Sequence, residues 1–436
     1  MKLAIVVQRY GTDINGGAEL HARYVAQHLA RHADVRVLTT CARDYVTWRN
    51  EVPSGEERVN GIPVERFPVR HERDLRDFGP RSTHVFTRPH SLNDELRWLE
   101  SEGPASPTLI ARVRKAHRDS DFVLLFSARY YQAYHGARVA ADRAILVPTA
   151  EREPAVGLSM FGPIFRGVRA LMYNSHEERA LIQGLSGNHD VPAVVVGVGS
   201  EIPARTEPGR ARQKFGLHGP FIIYVGRIDA NKGCGELFDY FLKYLERSGR
   251  PLTLALIGHP VIDIPVHPQI RHLGYVSDQD KFDAIAASEA LIVPSYYESL
   301  SMVALEAWAL GRPVIANAAC DVLLGQCLRS HAGLYYDDAL EFAGILDAVI
   351  DDPGLAAALG ANGREFFASH YSWPVVERKY LDMFDRLTAE PAARRMEPLP
   401  GWRARRMRTL PAAAEVVERI PTGPAEWRPA ARGSDQ

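Results

Sequence analysis

Cysteine is scarce in this sequence: Cys41, Cys234, Cys320 and Cys327 are the only four among 436 residues. No two stand as Cys-x-x-Cys, which excludes the usual spacing of a zinc ribbon or a dithiol redox centre. Such usage suits a reduced, cytoplasmic protein in which the four are small packed residues. Long apolar runs are also missing. The first run, Leu3–Val7, spans five residues. That is too short for a signal peptide or a membrane span, and it suits a buried strand. Gly-x-Gly-x-x-Gly is absent, so the dinucleotide fingerprint is excluded. No Asp-x-Asp pair stands beside the carboxyl end of a predicted strand, where a magnesium- or manganese-dependent site would need one. Net charge is nearly absent, with 52 Lys and Arg against 53 Asp and Glu. Its distribution is uneven: +3 over residues 1–195, −8 over 196–390 and +4 over 391–436. A middle section this acidic is a poor surface for nucleic acid, and an anion bound there must be held by a few placed groups.

What is present is an alternation of short apolar strands and helices. Leu3–Val7 reads as a strand, residues 18–31 as a helix, and Val35–Thr39, Phe122–Phe126 and Ala144–Val147 as further strands. The pattern restarts with strands at Phe221–Val225, Leu252–Ile257, Ala290–Val293 and Pro313–Ala316, and with helices at Glu236–Arg247, Asp280–Ala287 and Ser301–Leu310. Continuously apolar strands between helices predict parallel sheets covered on both faces. The length predicts two domains. We therefore expect an α/β chain of two doubly wound domains, divided near Gly197–Pro208. Residues 66–120 read as less regular and carry Arg70, His71, Arg73, Arg76, Arg81, His84, Arg88 and His90. They suit either an acceptor-binding insertion or a solvated surface excursion. From Pro391 onward Pro, Ala, Arg and Gly dominate, which reads as a largely disordered tail. Its basic run beside Trp402 (Arg403, Arg405, Arg406 and Arg408) suggests weak attraction to an anionic membrane.

Three stretches carry candidate chemistry. In Pro294–Ala307 a strand ends, a loop holds Glu298, Ser299 and Leu300, and a helix opens at Ser301 and Met302. Free N–H groups at such a helix start attract an anion, and Glu306 can accept bonds from vicinal hydroxyls. Both glutamates also fit as ordinary acids near a helix terminus. In Tyr224–Gly233, Gly226 permits a sharp turn, and Arg227 and Lys232 can grip a phosphate-sized anion. Without context they would be two surface cations. Gly16 and Gly17 open the first helix and let a ligand approach the backbone, or make a plain tight turn.

Taken together, Gly-Gly-Ala-Glu, Gly-Arg-Ile…Lys-Gly and Glu-Ser-Leu-Ser…Leu-Glu-Ala resemble the retaining glycosyltransferases of the family 4 type. The likeness runs from Met1 to about Leu387. It implies the GT-B fold, two Rossmann-like domains facing each other across a cleft. Residues 1–197, with 372–390 crossing back, would bind the acceptor. Residues 198–371 would bind a nucleotide-sugar donor, and 391–436 would be tail. Arg227 and Lys232 would hold the donor diphosphate, Glu298 would contact the transferred sugar, and Glu306 the ribose. Gly16 and Gly17 would line the cleft. Gly226, Gly258, Tyr275, Val276 and Ser299–Met302 would surround the donor. No cofactor or metal is implied beyond the nucleotide sugar as substrate. The acceptor would be a saccharide or lipid-linked saccharide, as in cell-envelope glycan synthesis. One departure stands out. Relatives sharing Val147-Pro148-Thr149-Ala150 continue His-Asp-Glu-Pro, whereas this chain reads Glu151-Arg152-Glu153-Pro154. Glu151 thus takes the place of a histidine that faces the transferred sugar, and His135 and His176 read as ordinary residues. A nucleotide-sugar epimerase of the same fold, or a catalytically silent binding module, are the alternatives.

Overall fold

Eight strands form the first sheet: β1 (Lys2–Val6), β2 (Asp34–Thr40), β3 (Gly55–Val59), β4 (Ile62–Phe67), β5 (Phe122–Phe126), β6 (Ala144–Val147), β7 (Ala170–Tyr173) and β8 (Ala193–Val195). Their spatial order is β3-β4-β2-β1-β5-β6-β7-β8. All neighbours run parallel except the β3–β4 hairpin. A second sheet holds β9 (Phe221–Val225), β10 (Thr253–Ile257), β11 (Ile270–Gly274), β12 (Leu291–Val293), β13 (Val314–Asn317) and β14 (Gly333–Tyr336), in the order β11-β10-β9-β12-β13-β14. Every neighbouring pair in it is parallel. These are computed structural model coordinates that describe residues 1–14, 16–392, 396, 397 and 399. Most of the tail, including its basic run beside Trp402, lies outside the described residues.

The central strands are buried on both faces, as continuous apolar runs such as Phe122–Phe126 and Phe221–Val225 require. Helices supply the covering layers. Helix Trp373–Ala389 packs Val376, Tyr380, Met383, Phe384 and Leu387 into the core of the first sheet, far from its neighbours in sequence. His28, on helix Gly17–Leu29, stacks on Trp373 at 3.6 Å between ring centres. Its ring nitrogens lie 2.5 Å from Glu377 and 2.7 Å from Glu201, so the two crossings of the chain between the sheets meet at one side chain.

The stretch read as irregular is in fact helical: Leu75–Thr87, Leu92–Glu102 and Pro107–Asp119. Asp74, Ser91 and Ser106 cap these helices, and Ser91 and Asp94 form a full capping box. Pro80 inside the first helix and the many charges obscured the period. Much of that charge is consumed locally, through Arg81 with Asp77, Arg73 with Glu102 and His90 with Glu95. All four cysteines are buried and free. Among the described residues no helix is long and apolar enough to cross a membrane.

Candidate active site

Strand order reverses between β1 and β5 in the first sheet and between β9 and β12 in the second. Ligands of open α/β sheets bind outside the carboxyl ends of the strands at such reversals. Here the loops after all four strands line a cavity of about 570 Å³. That volume suits a small-molecule ligand.

The second sheet supplies three cations to one wall. After β9, Arg227 Nε lies 2.5 Å from Asp229, and its guanidinium also donates to the Tyr45 hydroxyl. Asp229 caps the turn Ala230–Lys232 by accepting from the Asn231 and Lys232 N–H groups, which fixes where Lys232 leaves the backbone. Lys232 Nζ donates to Glu298 Oε1 at 2.7 Å. Lys281 Nζ and the Ser200 hydroxyl donate to Glu306 Oε1 at 2.9 and 2.8 Å. Glu306 is buried, and both of these bonds fall on one oxygen. Helix Met302–Ala309 begins after Ser301 with no side chain capping it. Its first N–H groups therefore lack a side-chain acceptor, and Met302 and Val303 line the cavity. Ser299, Leu300 and Ser301 line it too, together with Gly226.

The first sheet builds the facing wall from more scattered positions. Arg9 holds Glu19 at 2.7 Å and stacks over Tyr45. Tyr45 thus lies between Arg9 and Arg227, which stacks on it as well. Arg129 joins the buried Glu102, at 2.7 Å, to Glu153. Gly16 and Gly17 line the cavity. A Cβ on Gly16 would come within 2.3 Å of Glu19 Oε2, so this glycine makes room for the Arg9–Glu19 pair. His21 is fully buried beside the cavity with no partner for Nε2 among the described residues, and burial pushes its imidazole down to about 3, so it is neutral. Asn174 donates to Ser299 Oγ at 3.3 Å, while its Oδ1 has no partner among the described residues. Ser127, Thr149 and Ser301 all line the cavity with positive φ. Strain of this kind costs about 1–3 kcal/mol per residue and gathers at functional sites.

Glu151 follows β6 and reaches the same cavity. Among the described residues nothing donates a hydrogen bond to its carboxylate. Arg152 does not pair with it but with Asp321, at 2.7 Å. Burial pushes the Glu151 carboxyl up to about 7, with Glu298 and Glu153 adding to the rise and Lys232 and Arg129 opposing it. Beneath it Glu178 is fully buried and accepts from the backbone N–H groups of Ala150 and Asn174. Burial pushes that carboxyl up to about 8.

The structure therefore gathers Arg227, Lys232, Glu298, Glu151, Glu306, Gly16, Gly17, Gly226 and Ser299–Met302 around one space. It does not bring Gly258, Tyr275 or Val276 to the cavity lining. Gly258 has a backbone reason instead: a Cβ there would sit 1.9 Å from the Gly226 carbonyl oxygen, so it lets the β10 loop lie against the β9 loop. Tyr275 is exposed and Val276 packs against the core of the second sheet. None of the eight Arg and His residues singled out in 66–120 lines the cavity; Arg73 touches it only through Glu102 and Arg129. Arg9, His21, Tyr45, Arg129, Asn174 and Lys281 were not legible as site residues. Among the described residues no three His, Cys, Asp or Glu side chains converge as metal ligands would.

Known proteins agree with this arrangement. The profile of the family described as "Glycosyl transferases group 1" matches residues 219–352. The D-inositol 3-phosphate glycosyltransferase of Kribbella flavida is 30% identical over 55% of this chain, which spans 62% of that protein's length. Its counterpart in Frankia alni is 28% identical over 89% of this chain and 98% of its own length. The α-D-kanosaminyltransferase of Streptomyces kanamyceticus is 29% identical over 39% of this chain and 47% of its own length. Among solved structures, the trehalose-6-phosphate enzyme of E. coli bound to UDP-2-fluoro glucose superimposes with a TM-score of 0.66 at 14% identity, covering 88% of this chain and 99% of that one. The Anabaena protein HepE with UDP and glucose gives 0.64 at 16% identity, covering 88% and 100%. Two reversed parallel sheets sharing one cavity, the matched family profile and these relatives lead to one statement: the chain is similar to the group 1 glycosyltransferases, by profile over residues 219–352, and has the GT-B fold.

Proposed function

We propose that this protein moves a sugar, with retention of anomeric configuration and without a metal, from a nucleotide-diphosphate sugar to a saccharide or lipid-linked saccharide. The observation that carries the reading is the convergence of Arg227, Lys232 and the uncapped start of helix Met302–Ala309 on one cavity. As the glycosidic bond breaks, negative charge grows on the leaving diphosphate. Preorganised cations and N–H groups stabilise that charge in place of a metal. In this reading the donor lies on residues 198–371, with Glu306 toward the ribose and Glu298 toward the transferred sugar. The acceptor lies on residues 1–197 with 372–390, against the wall holding Arg9, Tyr45 and Arg129. Support for a nucleotide-sugar donor comes from the UDP and UDP-sugar complexes among the fold's neighbours. A role in cell-envelope glycan synthesis at the cytoplasmic face, with weak peripheral attachment to the membrane, fits a transferase of this kind.

A thermal-shift series with UDP, GDP and ADP tests the donor site, since a ligand that binds only the folded state raises its stability. One nucleotide should raise the Tm of the wild type and fail to raise that of Arg227→Ala. With that nucleotide's sugar as donor, activity should survive exhaustive chelation, and NMR of the product should show the donor's anomeric configuration. Activity that falls on chelation and returns with manganese, or an inverted product, would overturn the corresponding part of the reading.

A further inference from the structure

The charges around Glu151 do not balance once a diphosphate enters. Glu151 and Glu298 share the field of Lys232, whose ammonium is bonded to Glu298 at 2.7 Å. On its own side of the cavity, Glu151 faces Glu153, and Arg129 is held by Glu153 and Glu102. Arg152, the adjacent cation, is turned outward onto Asp321. Glu178 lies below, within range to act on Glu151, and its two backbone donors leave no cation between them. Each of the other carboxylates thus has donors committed to it, and Glu151 has none among the described residues. A bound diphosphate adds about two negative charges and draws Lys232 and Arg227 towards itself. In a partly dry protein site, like charges brought together repel far more strongly than in water, which makes the uncompensated arrangement costly. The half-buried carboxylate with no partner is the group whose neutralisation removes most of that cost.

Resting on the donor site proposed above, we infer that donor binding is coupled to uptake of one proton from solvent by Glu151, which then works as a neutral carboxylic acid. The step is an acid–base equilibrium: carboxylate, donor and one proton form the complex, and no other bond forms or breaks. The change converts a group that can only accept hydrogen bonds into one that donates to an oxygen of the donor. Its value of about 7 places this uptake within the working range of pH.

Calorimetric titration of the wild type with UDP at pH 8.0, repeated in phosphate and in Tris, reads the proton directly from the dependence of the heat on buffer ionisation. GDP and ADP serve as parallel probes. Uptake approaching one proton per site is expected, and uptake near zero for Glu151→Gln, whose amide donates without titrating. A second readout needs no variant: the wild-type Kd should weaken about tenfold per pH unit above 7.5. Nucleotide binding without uptake, a pH-independent Kd, or the same uptake in folded Glu151→Gln would each overturn the inference. Failure of every nucleotide to bind would instead overturn the donor site itself, and this inference with it.

Discussion

The two walls of the cavity treat charge differently. On the wall from the second sheet every cation has a carboxylate close by: Arg227 with Asp229, Lys232 with Glu298, and Lys281 with Glu306 and the more distant Asp278. On the wall from the first sheet carboxylates outnumber cations. Arg9 holds Glu19, Arg129 is divided between Glu102 and Glu153, and Glu151 is left over. Ion pairs that are partly open to water can be exchanged for a phosphate at modest cost, because a partly exposed pair contributes little by itself. Arg227 and Lys232 are about two-fifths and one-third exposed, which suits such an exchange. Arg129 is tied to Glu102, which is 2% exposed, and a pair of that kind holds structure together. One wall is arranged to trade partners with an anion; the other keeps its pairs and offers acceptors.

The contrast breaks if the two sets of cations behave alike. Arg227→Ala and Lys232→Ala should each lower turnover by about 100-fold or more with Tm close to wild type; near-normal rates in both variants would remove the diphosphate clamp. Arg129→Ala should show the opposite balance. It strands Glu102 with Arg73 alone, and a loss of about 3 kcal/mol in a urea melt is expected. Unchanged stability would mean that Arg129 is as expendable as a surface cation. Glu151→His sharpens the comparison on the substrate side. Over a panel of nucleotide sugars it should shift preference by about tenfold, the size of one altered polar contact; an identical profile would place Glu151 away from the substrate.

The smallest effect concerns pH. Burial holds the Glu178 carboxyl up at about 8, above its ordinary value of 4.5. A carboxyl raised on folding stabilises the native state fully below the unfolded value, and that contribution is lost as pH rises through about 8. Glu151 adds to the same trend up to about 7. Tm should therefore fall between pH 5 and pH 9, and fall less in Glu178→Gln, which keeps an oxygen for the N–H groups of Ala150 and Asn174. Parallel curves for the two proteins would show that Glu178 does not titrate in this window.

The wall from the second sheet is legible in the sequence because its chemistry sits in two contiguous runs. Gly226 to Lys232 and Glu298 to Glu306 each follow a recognisable apolar strand, so strand end, turn and helix start could be read together. The facing wall draws Arg9, His21, Tyr45, Arg129 and Asn174 from separate loops, and none of those residue types is unusual where it stands. They become neighbours only through the β1–β5 reversal, which depends on strand order that no local pattern specifies. Two of the strands that went unread, β3 and β11, show the same limit. In β3, Glu56, Glu57 and Arg58 are all exposed, and in β11 Arg271 and His272 are exposed, so neither displays an apolar run. The helices within 66–120 did carry a signal, Ser91 three residues before Asp94, which a search for capping boxes would have found.

The placement of helix Trp373–Ala389 has a consequence for biosynthesis. Its Val376, Tyr380, Met383, Phe384 and Leu387 complete a core whose other members come from the first 196 residues. A ribosome adding about 5–20 residues per second needs about 9–36 s to travel from the end of β8 to this helix. During that interval the first sheet has every strand it will have and lacks the last layer that covers it. The nascent chain thus presents the apolar seat of helix Trp373–Ala389 to solvent while the second sheet is still being made, and the order of synthesis fixes which surface a chaperone would meet.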